Sequence, residues 1–314
     1  MKLSVIVGTY NRLDLLKQCI DSVFAQTKTP VCLYVTDAGS TDGTIEYLKA
    51  IASDRLVPIF EGQKFGQARA YNAVFKAIKT PYTCWLSDDN VVVNQGLDIA
   101  VEILENNVSF GLIALKTKDL QGPFANAPYI GGVSQIGVLN VNQGLLRTTV
   151  LRQVGGFSEF FQDYGIDPDL TAKVLFSGYD IAYTRQVALH HYRDWGEDAA
   201  LQVMQTRQKI YKERYLKKYT TLMQGDLGWH LKRNFWLFLR RGLGLQRHLD
   251  SPRPVFNSLM RDWHNIFSGR YISLQDTIQN RDQTYHLVQH CPASQLPEEL
   301  PDDPTREQSL SWIE

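Results

Sequence analysis

The sequence predicts an α/β fold, a mostly parallel sheet flanked by helices with a helical C-terminal appendage. Three observations carry this. Short apolar runs rich in β-branched residues recur at 2–7, 31–36, 56–60, 82–86 and 111–115. Each of the first four runs into a loop of small polar residues, followed by apolar residues at helical spacing. From residue 198 onward the chain reads helical and basic. Buried parallel strands are continuous apolar runs, and strand–helix alternation with short links means a parallel sheet covered on both faces.

The elements follow in order. The run 2–7 (KLSVIV) stops at Gly8-Thr9-Tyr10-Asn11, and Asn11 is the expected cap of a helix carrying Leu13, Leu16, Ile20 and Val23. The run 31–36 (VCLYVT) ends in Asp37-Ala38-Gly39-Ser40-Thr41-Asp42-Gly43-Thr44, before a helix with Ile45, Leu48 and Ile51. The run 56–60 leads into Gly62-Gln63-Lys64-Phe65-Gly66 and a helix with Ala68, Tyr71, Phe75 and Ile78 on one face. The run 82–86 (YTCWL) stops at Ser87-Asp88-Asp89-Asn90. A helix through Leu97, Val101 and Leu104 and a strand at 111–115 complete the pattern.

The polar loops at 8–11, 37–44, 62–66 and 87–90 all follow strands, so they share the carboxyl edge, where open α/β sheets bind ligands. Paired carboxylates there, Asp88 and Asp89, offer hard oxygen donors suited to Mg²⁺ or Mn²⁺ held beside a diphosphate. A plain polar turn after a buried strand is the alternative.

Past residue 115 the character changes. Residues 116–137 are rich in Gly, Pro and Asn; a strand is expected within 137–146 and a short helix over 148–154. A second polar cluster, 162–169, places Asp167 before Pro168, as a helix cap would be. That helix ends at Ser177-Gly178, and strands at 179–184 and 187–189 run into His190-His191. The segment 229–248 mixes aromatic and basic residues without an acid; it suits an amphipathic helix packed on the domain, or peripheral contact with an anionic membrane.

The 314 residues carry no net charge, so no global field recruits nucleic acid. Cys19, Cys32, Cys84 and Cys291 lack metal-site spacing, and three of them sit in apolar patterns and read as core residues of a reducing compartment. With no signal-peptide pattern and no apolar run of about 18 residues, the expected location is cytoplasmic.

Four stretches, 5–12 (VIVGTYNR), 37–44 (DAGSTDGT), 87–89 (SDD) and 164–170 (YGIDPDL), resemble in order and spacing the family 2 glycosyltransferases of the GT-A fold. The resemblance covers residues 1–195 and divides them into a nucleotide-binding half (1–115) and an acceptor half (116–195), followed by a helical region (196–285) and a flexible tail (286–314). It implies an inverting, metal-dependent hexosyltransferase that moves a sugar from a nucleoside diphosphate, UDP by default, to an acceptor hydroxyl on a sugar, lipid-linked or protein acceptor. By the same resemblance Thr9, Tyr10 and Arg12 line the nucleotide pocket and Asp37 contacts base or ribose. Asp89 is the metal-binding acid of the DXD motif, with Asp88 near ribose or sugar. Asp167 is the general base, and His190 helps hold the metal or diphosphate. Four positions depart from the family: Ser87 stands for the first DXD acid, Tyr71 for an arginine, Ile166 for an acid before the base, and Val174 lies near the place of an arginine in the helix after it.

The chemistry agrees with that assignment. A divalent ion neutralises a departing diphosphate, and a carboxylate within reach takes the acceptor proton. Lys64 and Arg69 are further candidates for phosphate oxygens. Two other classes stay open: a sugar-nucleotide-binding or scaffold protein without turnover, and a nucleotidyltransferase, although 8–11 lacks the Gly-rich basic loop that the latter needs.

Overall fold

The computed structural model describes residues 1–122, 124–127, 129–130, 132–134, 138–161, 164–193, 198–223, 231, 235 and 283–299. Its strands are β1 (Leu3–Thr9), β2 (Val31–Asp37), β3 (Leu56–Phe60), β4 (Tyr82–Ser87), β5 (Asn90–Val92), β6 (Phe110–Ala114) and β7 (Thr117–Asp119). Then come β8 (Gly132–Val133), β9 (Leu139–Asn140), β10 (Gly144–Arg147), β11 (Asp180–Thr184), β12 (Leu189–His191) and β13 (Tyr285–Gln289). The helices are α1 (Leu13–Gln26), α2 (Thr44–Ile51), α3 (Gln67–Ala77), α4 (Gly96–Asn106), α5 (Thr148–Gln153), α6 (Ile166–Phe176) and α7 (Asp198–Met223).

Eight strands form one sheet in the order β13-β11-β6-β10-β4-β1-β2-β3. The block β3-β2-β1-β4 is parallel, as the apolar runs predict. β10 is inserted antiparallel between β4 and β6, so the fifth parallel strand does not extend the block directly. The sheet is buried on both faces. One face packs α1, α2 and α4 through Leu16, Val23, Leu48, Leu97 and Leu104. The other packs α3, α5, α6 and α7 through Tyr71, Phe75, Leu151, Leu170 and Tyr219. At roughly 1.5–3 kcal/mol per buried large apolar side chain, these two layers fix the strand order before any site residue contributes.

Three sequence expectations are corrected. Asn11 does not cap α1: it sits at φ 53°, donates its N–H to Ser40 Oγ at 2.9 Å, and accepts Thr41 N–H at 2.7 Å on its side chain. It therefore locks the first two carboxyl-edge loops together, and Asp42 accepts Leu13 N–H at 3.0 Å in its stead. Asp167 is not a cap either; α6 begins at Ile166 behind Gly165 at φ 91°, which leaves the Asp167 carboxylate available. The segment expected to be a flexible tail is in part built into the domain, because β13 extends the sheet through β11 and Glu299 pairs with α6 and α7. The segment 229–248 lies outside the described residues apart from Leu231 and Phe235; positions 162–163, 255–267 and 300–314 lie outside them entirely. No helix among the described residues is long and apolar enough to cross a membrane.

Candidate active site

Sheet register assembles the site. Thr9 pairs with Asp37 across β1 and β2, and Gly8 pairs with Ser87 across β1 and β4. Adjacent strands lie about 4.8 Å apart, so the polar ends of three strands become neighbours. Gly8 must stay small, because a Cβ there would meet Tyr71 Cε1 at 2.9 Å. The Tyr71 hydroxyl accepts Gly8 N–H and donates to the Leu86 carbonyl, both at 2.7 Å, joining β1 to β4 just beneath the acids. The family arginine at this position is thus replaced by a buried structural clasp.

Asp37 receives the N–H groups of Gly39 and Ser40 on Oδ1, each at 3.0 Å. Its Oδ2 is buried without a hydrogen-bond partner among the described residues, an acceptor whose desolvation is offset when a ligand donates to it. Gly39 holds this turn at φ +89°, where a Cβ would strike the Gly62 carbonyl at 2.7 Å. Glu61 lies beside Asp37; burial and that neighbouring charge push its pKa up to about 7 against a hydrogen bond from Thr36. Tyr10 is exposed, with the Lys64 ammonium 3.6 Å from its ring centre, and the Arg69 guanidinium lies over Phe65 at 4.4 Å.

Asp88 and Asp89 are both buried. Thr9 Oγ1 donates to Asp88 Oδ2 at 2.9 Å. One nitrogen of Arg12, Nη1, reaches Asp88 Oδ1 at 3.2 Å and Asp89 Oδ2 at 3.1 Å. Burial and the charge of Asp89 hold the Asp88 pKa up at about 6, against Arg12 and the Thr9 hydroxyl. Burial also works against ionised Asp89, but His191 and Arg12 outweigh it and its pKa lies below the ordinary value.

The histidine that meets Asp89 is His191, which corrects the expectation placed on His190. β12 pairs with β5 and β7 in a second, three-stranded sheet, and its register sets His191 opposite both Asn90 and Asp119. His191 Nδ1 lies 2.8 Å from Asp119 Oδ1, and Nε2 lies 3.3 Å from Asp89 Oδ1. Burial disfavours its charge, yet the two carboxylates raise its pKa to about 9. His190 points the other way, beside Lys118, and burial together with that cation lowers its pKa.

Asp167 enters from α6 and accepts a hydrogen bond from Trp85, a β4 residue two positions before Ser87; Trp85 Nε1 also lies 3.0 Å from the Asn142 carbonyl. The residue keeps a partly exposed edge, while the surrounding protein raises its pKa to about 8. Asp169 faces elsewhere, fully buried against Lys218 and Tyr219 at 2.8 Å each. The register thus gathers Thr9, Arg12, Asp37, Asp88 and Asp89 at one sheet edge, with Asp167 tied to the same edge through Trp85. Sequence reasoning missed His191, Asp119, Glu61 and Trp85. Only Glu61 had a sequence signal, since it directly follows the third apolar run.

Among the described residues there is no group of three or more His, Cys, Asp or Glu side chains arranged to hold a metal ion by themselves. Asp88 and Asp89 nevertheless offer carboxylate oxygens side by side, and Asp89 Oδ1 has no hydrogen-bond partner among the described residues. This fits Mn²⁺ or Mg²⁺ completed by water and a diphosphate.

An open α/β sheet with acids and polar loops at its carboxyl edge is the arrangement of the GT-A fold. A solved structure of the same fold is Staphylococcus aureus TarS 1–349 in complex with UDP-GlcNAc, with a TM-score of 0.53 and 16% identity over 96% of this chain and 100% of that one. Residues 4–120 match the model of Glycosyl transferase family 2, and this segment belongs to that family. An uncharacterized glycosyltransferase of Nostoc sp. is 34% identical over 116 residues, 36% of each chain. An Escherichia coli UDP-Glc:alpha-D-GlcNAc-diphosphoundecaprenol beta-1,3-glucosyltransferase is 26% identical over 107 residues, 34% of this chain and 43% of that one. The chain therefore spans well under half the length of either relative.

Proposed function

We propose that the protein is an inverting glycosyltransferase that moves a sugar from a nucleoside-diphosphate sugar to an acceptor hydroxyl, with UDP the first nucleotide to test. What supports this reading is an unsatisfied carboxylate oxygen on Asp37 and a buried acid pair at one sheet edge, with Asp167, a carboxylate of raised pKa, hydrogen-bonded to Trp85 of β4. The TarS complex and the E. coli relative support a sugar nucleotide as donor, and the latter a lipid-linked sugar as acceptor.

In this mechanism Asp37 Oδ2 accepts a donor group of the base or ribose, and Tyr10 offers a ring face to the base. Lys64 and Arg69 stand at the neighbouring loop, where the phosphates would pass. Asp89, with Asp88 beside it, would hold a divalent ion, whose chemistry is to neutralise the leaving diphosphate, and His191 would keep Asp89 in place. Asp167 takes the proton of the acceptor hydroxyl as its oxygen attacks the anomeric carbon and the diphosphate departs. A single displacement with a single base inverts the anomeric centre.

The test is a thermal-shift panel of nucleoside diphosphates and their sugars with and without Mn²⁺, followed by transfer assays on Asp167→Asn. The expected outcome is metal-dependent stabilisation by one nucleotide in both proteins, and transfer only by wild type. Equal transfer by both rejects Asp167 as the base. Ser87 in place of the first DXD acid favours a second reading, a sugar-nucleotide-binding protein without turnover; release of nucleoside diphosphate from the donor by wild type excludes it.

A further inference from the structure

The position between Asp88 and Asp89 is already taken by a cation of the chain itself. Arg12 Nη1 lies 3.2 Å from Asp88 Oδ1 and 3.1 Å from Asp89 Oδ2. A divalent ion bound by those same two oxygens and Arg12 Nη1 cannot occupy that place together.

We infer that Arg12 is an exchangeable internal counter-ion: it holds the acid pair while the site is empty of nucleotide, and moves to the diphosphate when a divalent cation enters. This rests on the reading of the site as one for a cation and a nucleoside diphosphate, and adds how the two are made to arrive together.

Four features support exchange rather than a permanent bridge. Both contacts come from a single nitrogen at the long end of hydrogen-bond range, not from the two-pronged fork that makes arginine–carboxylate pairs strong. The Arg12 side chain is 40% exposed, whereas those of Asp88 and Asp89 are 6% and 7% exposed. The carboxylates are held independently, Asp88 by Thr9 and Asp89 by His191, so they keep their places when the guanidinium leaves. The backbone beneath the arginine is also fixed, since Asn11 is bound to Ser40 and Thr41 and the Arg12 carbonyl accepts Leu16 N–H at 2.9 Å. The side chain is thus the part able to move, and the β1–α1 loop on which it stands borders the nucleotide edge. The replacement of the family arginine by Tyr71, whose hydroxyl is committed to Gly8 and Leu86, leaves the diphosphate in need of another guanidinium.

The consequence is coupling. A cation arriving alone must displace Arg12 into solvent, whereas one arriving with a diphosphate gives Arg12 a new anion, and linkage makes the two affinities rise together. The experiment uses the full chain as wild type, Arg12→Ala and Arg12→Lys, with folding checked by circular dichroism. Mn²⁺ binding without nucleotide is read from the electron paramagnetic resonance signal of free Mn²⁺, and UDP binding at saturating Mn²⁺ by calorimetry, with GDP run in parallel. Arg12→Ala is expected to bind Mn²⁺ alone about tenfold more tightly than wild type and UDP about tenfold more weakly, with Arg12→Lys between. If wild type binds Mn²⁺ with UDP or GDP but Arg12→Ala binds Mn²⁺ alone no more tightly, the counter-ion role is overturned and the proposed function stands. If wild type binds Mn²⁺ neither alone nor with either nucleotide, both are overturned.

Discussion

Asp167 shows how a single residue's surroundings set its chemistry. An unburied aspartate is ionised at neutral pH, but burial has moved this one to about 8, leaving roughly a tenth as base at pH 7. Transfer at low substrate concentration should therefore rise about tenfold per pH unit up to about pH 8 and then level, as a profile of kcat/KM will show. Asp167→Asn should lose that limb together with activity. The same shift has a stability sign. A carboxyl whose folded pKa is raised is stabilising in its protonated form, and that contribution is lost as pH rises through the folded value. Asp167→Asn should consequently melt no lower than wild type at pH 8, which separates loss of the base from loss of fold. Asp119 acts through His191: Asp119→Asn should weaken Mn²⁺ binding by roughly 10-fold while sparing the fold, because Asp119 Oδ1 fixes the ring whose Nε2 lies against Asp89. Mn²⁺ affinity unchanged in Asp119→Asn would reject that positioning role.

At the scale of elements, α6 is held by charge as well as by packing. Its Lys173 is nearly buried and lies 3.6 Å from Asp169 Oδ2 and 3.2 Å from Glu299, while Lys218 of α7 reaches Asp169 at 2.8 Å and Glu299 at 2.9 Å. Glu299 also accepts from Ser158 at 2.5 Å. Two buried ammonium groups thus share two carboxylates, the four groups coming from three parts of the chain, and the helix that carries Asp167 is fastened from behind. Removing the Glu299 charge leaves Lys173 and Lys218 to Asp169 alone. Glu299→Gln should cost about 1 kcal/mol at pH 7, a figure reduced because the side chain is half exposed and solvent screens it. Despite its burial, the two lysines and Ser158 hold Glu299 down at about 2. Its contribution is therefore present above the ordinary value of 4.5 and fades as pH falls from there toward 2, so urea midpoints of the two proteins should converge over that window.

At the scale of the molecule, two apolar layers clamp one sheet whose carboxyl edge carries the polar loops. A ligand bound at that edge touches β1, β2 and β4 at once, so its binding energy should appear as global stability. At about a hundred times its dissociation constant a nucleotide contributes about 2.7 kcal/mol, or roughly 5 °C in Tm for a chain of this size. Asp37→Ala should abolish most of that shift because its orphaned oxygen serves the ligand, and should also lower the ligand-free Tm, because its other oxygen accepts the N–H groups of Gly39 and buried Ser40. An unchanged nucleotide-induced shift in Asp37→Ala would remove Asp37 from the binding site.

What the sequence determined by itself was the local pattern and its consequence. Runs such as VIV at 5–7 and CWL at 84–86 can only be buried strands, and alternation with helices puts Thr9, Asp37 and Asp88-Asp89 on one edge. What it could not determine depended on pairings between distant segments. Which of His190 and His191 faces Asp89 is decided by the register of β12 against β5 and β7, and a shift of one residue would exchange them. Whether Asp167 caps a helix or stands free was decided by where α6 begins. Whether the residues after 285 trail or pack was decided by an open edge on β11 and by two buried lysines in want of a carboxylate. Hydrophobic periodicity is a local property of a chain, whereas strand register and the pairing of buried charges exist only once the chain has closed on itself.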